Sequence, residues 1–139
     1  GDVHAMTADD VVFTETPAAI RGALDDFAAR GIPRAALQAH VAGVVVKFYG
    51  LADGRFFRCY TQSGDVPAAI PALWEAARAG AHALGLDVFG GDLVVTSEGR
   101  PVLIDVNDWP SFAPVREEAS RAIADLIFRK AQEHLSSHD

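Results

Sequence analysis

The stretch "GDLVVTSEGRPVLIDVN", residues 91–107, decides how this chain is read. Two runs rich in β-branched residues flank Ser97-Glu98-Gly99-Arg100, the pattern of a β-hairpin. Yet Asp92, Asp105 and Asn107 lie inside the strands, where Asp and Asn are normally depleted. With Glu98-Gly99 as a two-residue loop, Ser97 faces Arg100, and pairing outward sets Asp92 opposite Asp105 and Gly90 opposite Asn107. Period-2 alternation gathers the three polar residues on one face. It turns Val102, Ile104 and Val106, with Leu93 and Val95 across from them, toward a core.

Directly opposed carboxylates, with Cβ atoms roughly 4.5–5.5 Å apart, repel each other, so an empty pair destabilises the hairpin. A divalent cation between them reverses the sign. Two carboxylates and an amide oxygen, with no Cys or His nearby, form a hard-oxygen set suited to Mg²⁺ or Mn²⁺ that shares its ligands with water or phosphate. Gly90, opposite Asn107, leaves room for such a ligand. The same acids also fit the solvent-facing half of an alternating strand, and a three-residue loop with a bulge at Gly99 shifts the register by one.

Working outward, Thr16-Pro17 marks a helix start, and Ile20, Leu24 and Phe27 follow at helical spacing until Gly31. Three β-type runs come after Pro33: "AALQAHVAG", "VVVKFYGL" and "RFFRCYTQ", the last two joined by the Asp53-Gly54 turn signal into a hairpin. Leu73, Trp74, Ala77, Ala81 and Leu84 predict a second helix from Pro71, ended by Gly85. A third is predicted from about Glu117, with Ile123, Leu126, Ile127, Ala131 and Leu135 inward. The reading is a single α+β domain over residues 1–139, an antiparallel β-sheet flanked by helices.

Composition narrows the function. The chain of 139 residues is half hydrophobic and carries 19 acidic against 12 basic residues, a net charge of −7, with Lys47 and Lys130 its lysines. That balance argues against a nucleic-acid partner, and no apolar run approaches the ~18–20 residues of a membrane span. Cys59 is the single cysteine, so no internal disulfide forms; with no signal-peptide pattern, a cytoplasmic location is expected.

"GGDLVV" followed by "LIDVND" resembles the metal-binding end of ATP-grasp enzymes, an Asp on one strand and an acid-x-Asn on the next. "LQAHVAGVVVKFYG" is similar to the segment joining the two halves of that superfamily's nucleotide site, followed by a strand with a basic residue, here Lys47, shortly before a glycine. "DVHAM" and "DVNDWPSF" resemble the inositol-phosphate-kinase-like and glutamate-ligase-like branches. The resemblance implies the C-terminal subdomain fold of ATP-grasp, ATP and Mg²⁺ (or Mn²⁺) as cofactors, and a small-molecule substrate. By the same resemblance, Asp92, Asp105 and Asn107 hold two metal ions. Lys47 touches phosphate or substrate, and Gln38, Ala39, His40 and Val41 border the adenine. Ala39 stands where many relatives carry an acid. A Gly-rich phosphate loop, an upstream lysine and a substrate domain are expected in a preceding portion of the same enzyme, so this chain alone is expected to be inactive.

Other residues carry paired readings. His4 sits near the phosphates if the "DVHAM" similarity holds, or is simply solvated. Arg58 contacts phosphate as a catalytic cation, or is a strand-face charge. Trp109 and Phe112 wall a substrate mouth, or plug the core at a strand-to-helix corner. His40, His82, His134 and His138 show no ligand spacing with one another. The expected activity is carboxylate–amine ligation through an acyl phosphate. The alternatives are a small-molecule kinase, for which an inositol polyphosphate is disfavoured by the few basic residues, and a non-catalytic metal- or nucleotide-binding module.

Overall fold

The computed structural model describes residues 10–136. The chain divides into two compact units, Gly1–His40 and Val41–Asp139.

The first unit contains helix α1, Pro17–Ala29. Its start follows from local chemistry: Thr16 is extended, its hydroxyl accepts from the Ala19 amide at 3.2 Å, and Pro17 fills the first turn, where its missing N–H costs nothing. At the other end Gly31 takes φ +79°, and the amides of Gly31 and Ile32 return to the carbonyls of Ala28 and Phe27. This pair of hydrogen bonds is the Schellman arrangement that satisfies the last turn. Asp10 pairs with Arg30 just beyond the helix. The predicted strand at "AALQAHVAG" does not form: residues 33–42 carry neither helix nor strand. Four alanines in that run supply little of the branched surface that makes a strand worth pairing.

The second unit is built on β1 (Val44–Leu51), β2 (Phe57–Tyr60), β3 (Val88–Val95) and β4 (Pro101–Asn107), with α2 (Ile70–Ala83) and α3 (Arg116–Ser136). The strands form one antiparallel sheet in the order β2-β1-β3-β4. This is the expected α+β class. The β1–β2 hairpin turns at Asp53-Gly54 as predicted, with Gly54 at φ +75° and the Asp53 carboxylate accepting from the Arg55 amide. A short 3-10 turn, Ala113–Val115, leads into α3.

Alternation along β1 divides the core between the two faces of the sheet. Val46 and Phe48 join Phe89, Leu93 and Val95 against Leu73, Ala77 and Ala81 of α2, all essentially buried. Tyr49 and Leu51 turn the other way and pack with Phe56, Val115, Ala119 and Leu126 under the first half of α3. Each fully buried Leu, Val or Phe contributes about 1.5–3 kcal/mol of apolar transfer. At Gly80 the α2 backbone comes so close to β4 that an added Cβ would lie 2.2 Å from Leu103 Cδ2.

Helix α3 departs from its predicted face. Ala119, Ala122, Ile123 and Leu126 are inward, whereas Ile127 and Leu135 are 63% and 72% exposed. The packed stripe of α3 is Ala119, Ala122, Ile123 and Leu126, in the first half of the helix. Arg129 to Asp53 and Lys130 to Asp87 at 2.6 Å tie the middle of the helix to the loops. No helix among the described residues is long and apolar enough to cross a membrane.

Candidate functional site

The β3–β4 hairpin does not turn on two residues. The Thr96 amide bonds to the Arg100 carbonyl at 3.0 Å and the Gly99 amide to the Thr96 carbonyl at 2.9 Å. Ser97, Glu98 and Gly99 therefore form a three-residue loop, with Gly99 at φ +77°. The strand ends are accordingly offset by one, with Val95 opposite Pro101, Val94 opposite Val102 and Leu93 opposite Leu103. A β-bulge then inserts Ile104 as an extra residue, and beyond it Asp92 faces Asp105, Gly91 faces Val106 and Gly90 faces Asn107. The two offsets cancel. Between the loop and the bulge the predicted facing is wrong: Leu103, not Val102 or Ile104, packs with Val106 against the α2 core.

The bulge brings the Asp105 carbonyl so near β3 that a Cβ on Gly91 would lie 1.9 Å from it. Only glycine fits there. At Gly90 the space expected for a ligand is taken by Pro110, whose Cγ would lie 2.8 Å from a Cβ at that position. The loop after β4 thus folds back over the sheet. Phe112 serves as a plug, its ring 5.5 Å from that of Tyr49, while Trp109 is 81% exposed.

Sheet pairing places Tyr60, Lys47, Asp92 and Asp105 in one row across β2, β1, β3 and β4, on the face turned away from α2. The next row holds Arg58, Tyr49, Gly90 and Asn107. Lys47 Nζ donates to both oxygens of Asp92, at 3.0 and 3.4 Å, and Asn107 Nδ2 donates to Asp105 Oδ2 at 2.5 Å. Lys47 is 63% exposed and Asp92 30%, so the pair lies open to water and contributes roughly 0.2–1 kcal/mol. Tyr60 is a member of the row that the sequence reading missed, although its place follows from counting outward from the Asp53-Gly54 turn. Its ring meets Tyr49 edge-on, with centroids 6.2 Å apart.

Arg58 is held by both carboxylate oxygens of Glu118 on α3 and by the Phe57 carbonyl, with its guanidinium 5.5 Å from the Phe56 ring. Gln38, Ala39 and His40 belong to the first unit, where the His40 ring packs edge-on against Phe13, and Val41 opens the second. His4 lies outside the described residues. Cys59, paired with Phe48 and packed at the α2 core, has its thiol pushed up to about 12 by burial, which keeps it protonated and inert at neutral pH.

Two carboxylates and an amide suit a hard divalent cation, and Lys47 already supplies a cation at Asp92. Among the described residues no three or more His, Cys, Asp and Glu cluster as a metal cage. An ion held here would draw its other ligands from water or phosphate, as Mg²⁺ readily does. No family model, curated protein or solved structure matches this chain.

Proposed function

We propose that this chain is the ATP- and Mg²⁺-binding portion of an ATP-grasp-type enzyme, a carboxylate–amine ligase acting through an acyl phosphate. The observation that carries this reading is the row of Lys47, Asp92 and Asp105 on three adjacent strands, with Asn107 bonded to Asp105. It puts an ammonium, two carboxylates and an amide on one rigid sheet face. Asp92, Asp105 and Asn107 are the residues that would hold Mg²⁺ or Mn²⁺. The chemistry a bound divalent ion supplies is neutralisation of charge on the phosphate oxygens during transfer. Lys47 adds a positive charge beside the same phosphates. Arg58, the other cation expected at phosphate, pairs with Glu118 on α3 in an exposed ion pair.

The acceptor is a small molecule bound with the help of a preceding portion of the enzyme. The aqueous face and the chain's negative charge fit a cytoplasmic enzyme without nucleic-acid or membrane partners. A second reading rests on a specific observation: Lys47 satisfies Asp92 and Asn107 satisfies Asp105, so the face is internally complete as a non-catalytic module.

Calorimetric titration of wild type and Asp105→Asn with Mg-ATP separates the nucleotide site from an internally satisfied module that binds no Mg-ATP through these residues. Binding by the wild type that the variant loses supports the nucleotide site. Absence of binding in the wild type, or equal binding in both, leaves the module reading.

A further inference from the structure

The charges on this face carry a consequence for how a metal ion and an anion share it. Asp92 and Asp105 supply two negative charges, and Lys47, bonded to both Asp92 oxygens, supplies one positive charge. The local sum is −1. A divalent ion on the carboxylates would compete with the Lys47 ammonium for the same two oxygens of Asp92. With such an ion bound the sum would be +1, and the Lys47 ammonium would be free on a flexible stem that is already mostly in water.

We propose that Lys47 is an exchangeable counter-cation. It occupies Asp92 when no metal is bound, and on metal binding it swings off to become an anion-binding group. Metal occupancy therefore switches the face from one that repels a polyphosphate to one that attracts it. The face selects a nucleotide as its divalent complex and rejects the bare polyanion. This inference rests on the metal-site reading above and specifies how Lys47 works within it.

The arrangement supports exchange in three ways. The ion pair is exposed and worth little, so a cation of higher charge can replace it. Asp105, the other carboxylate of the pair, takes its bond from the neutral amide of Asn107, so the negative charge there is not neutralised by that contact. Lys47 sits on a strand anchored on both sides by Val46 and Phe48, both fully buried, so its backbone stays in place while the side chain moves.

The test is Mn²⁺ binding without nucleotide, followed by the spin-resonance signal of free Mn²⁺, for wild type, Lys47→Met, Lys47→Arg and Asp105→Asn. Removing the competing ammonium should tighten Mn²⁺ binding by about three- to tenfold in Lys47→Met, the range expected from losing a weak exposed ion pair and a nearby like charge. Lys47→Arg keeps the competitor and should bind no tighter than wild type. Mn²⁺ binding by Lys47→Met with none in wild type supports the exchange in its strongest form. Equal Mn²⁺ affinity in wild type and Lys47→Met, with Asp105→Asn inactive in binding, overturns the exchange and leaves the metal site standing. Weaker binding by Lys47→Met overturns it as well, since Lys47 would then assist the metal. Failure of both wild type and Lys47→Met to bind Mn²⁺ removes the metal site and the exchange with it.

Discussion

Asp92 stands directly opposite Asp105 even though the loop joining their strands is one residue too long for that register, because Ile104 is inserted between them and the loop as a bulge. The face that carries the candidate site is thus held in register by two compensating irregularities. Each of its charged members then meets a neighbour set by pairing: Lys47 at Asp92, and Asn107 at Asp105.

Gly91 is the hinge of that compensation. Gly91→Ala drives a methyl into the Asp105 carbonyl, a backbone atom that cannot rotate away. A loss of about 2–4 kcal/mol is expected, in the range of core overpacking and backbone strain. Urea unfolding monitored by circular dichroism reads it as a lowered midpoint; a midpoint within experimental error of wild type would show that the bulge relaxes at no cost.

Asp105→Asn removes one of two facing carboxylates. Since Lys47 already offsets part of their repulsion, the metal-free variant should match wild type or exceed it, by a few tenths of a kcal/mol up to about 1 kcal/mol. A ligand that binds only the folded state raises the melting temperature, and the variant should lose that rise with Mn²⁺. Melting curves with and without Mn²⁺ decide it: equal shifts in the two proteins, or none in wild type, mark the acids as a solvated strand face.

Lys47→Met keeps the stem and removes the charge. Its fold should persist, since the ion pair is exposed, while with the metal site already saturated its affinity for the nucleotide drops about three- to tenfold through loss of one phosphate-side cation. Calorimetry in the two proteins measures the difference. Unchanged nucleotide affinity would assign Lys47 to the surface alone.

Cys59 links stability to alkaline pH. The folded thiol is pushed up to about 12 from a reference of 9.0 by burial. Below pH 9 both states are protonated, and this contribution to stability is fully present. As pH rises from about 9 toward 12 the unfolded thiol ionises first, so stability falls across that window. Denaturant midpoints of wild type should decline there more steeply than those of Cys59→Ala. At pH 8 a thiol-specific reagent should label the native protein roughly a hundredfold more slowly than the protein in urea. Parallel pH profiles in the two proteins would exclude the link.

Much of this molecule was legible along the chain because the controlling interactions are local. Thr16-Pro17 and Gly31 bound α1 through caps made within a few residues, Asp53-Gly54 turns β1 into β2, and alternation alone assigns Val46 and Phe48 to one face and Lys47 to the other. The facing of Asp92 and Asp105 was also read correctly, but from a loop of the wrong length; the bulge at Ile104 depends on Gly91 admitting the Asp105 carbonyl, a contact between strands. Neighbours across β1 decided the partner of Lys47, since strand order sets which side chain lies alongside and the sequence carries no order. Packing decided the rest: Pro110 lies over Gly90, Glu118 captures Arg58 from another element, and α3 packs its apolar residues along its first half alone. Helical spacing states which residues share a stripe. Whether anything lies against that stripe is a property of the assembled fold, because burial requires a second surface and not merely an apolar first one.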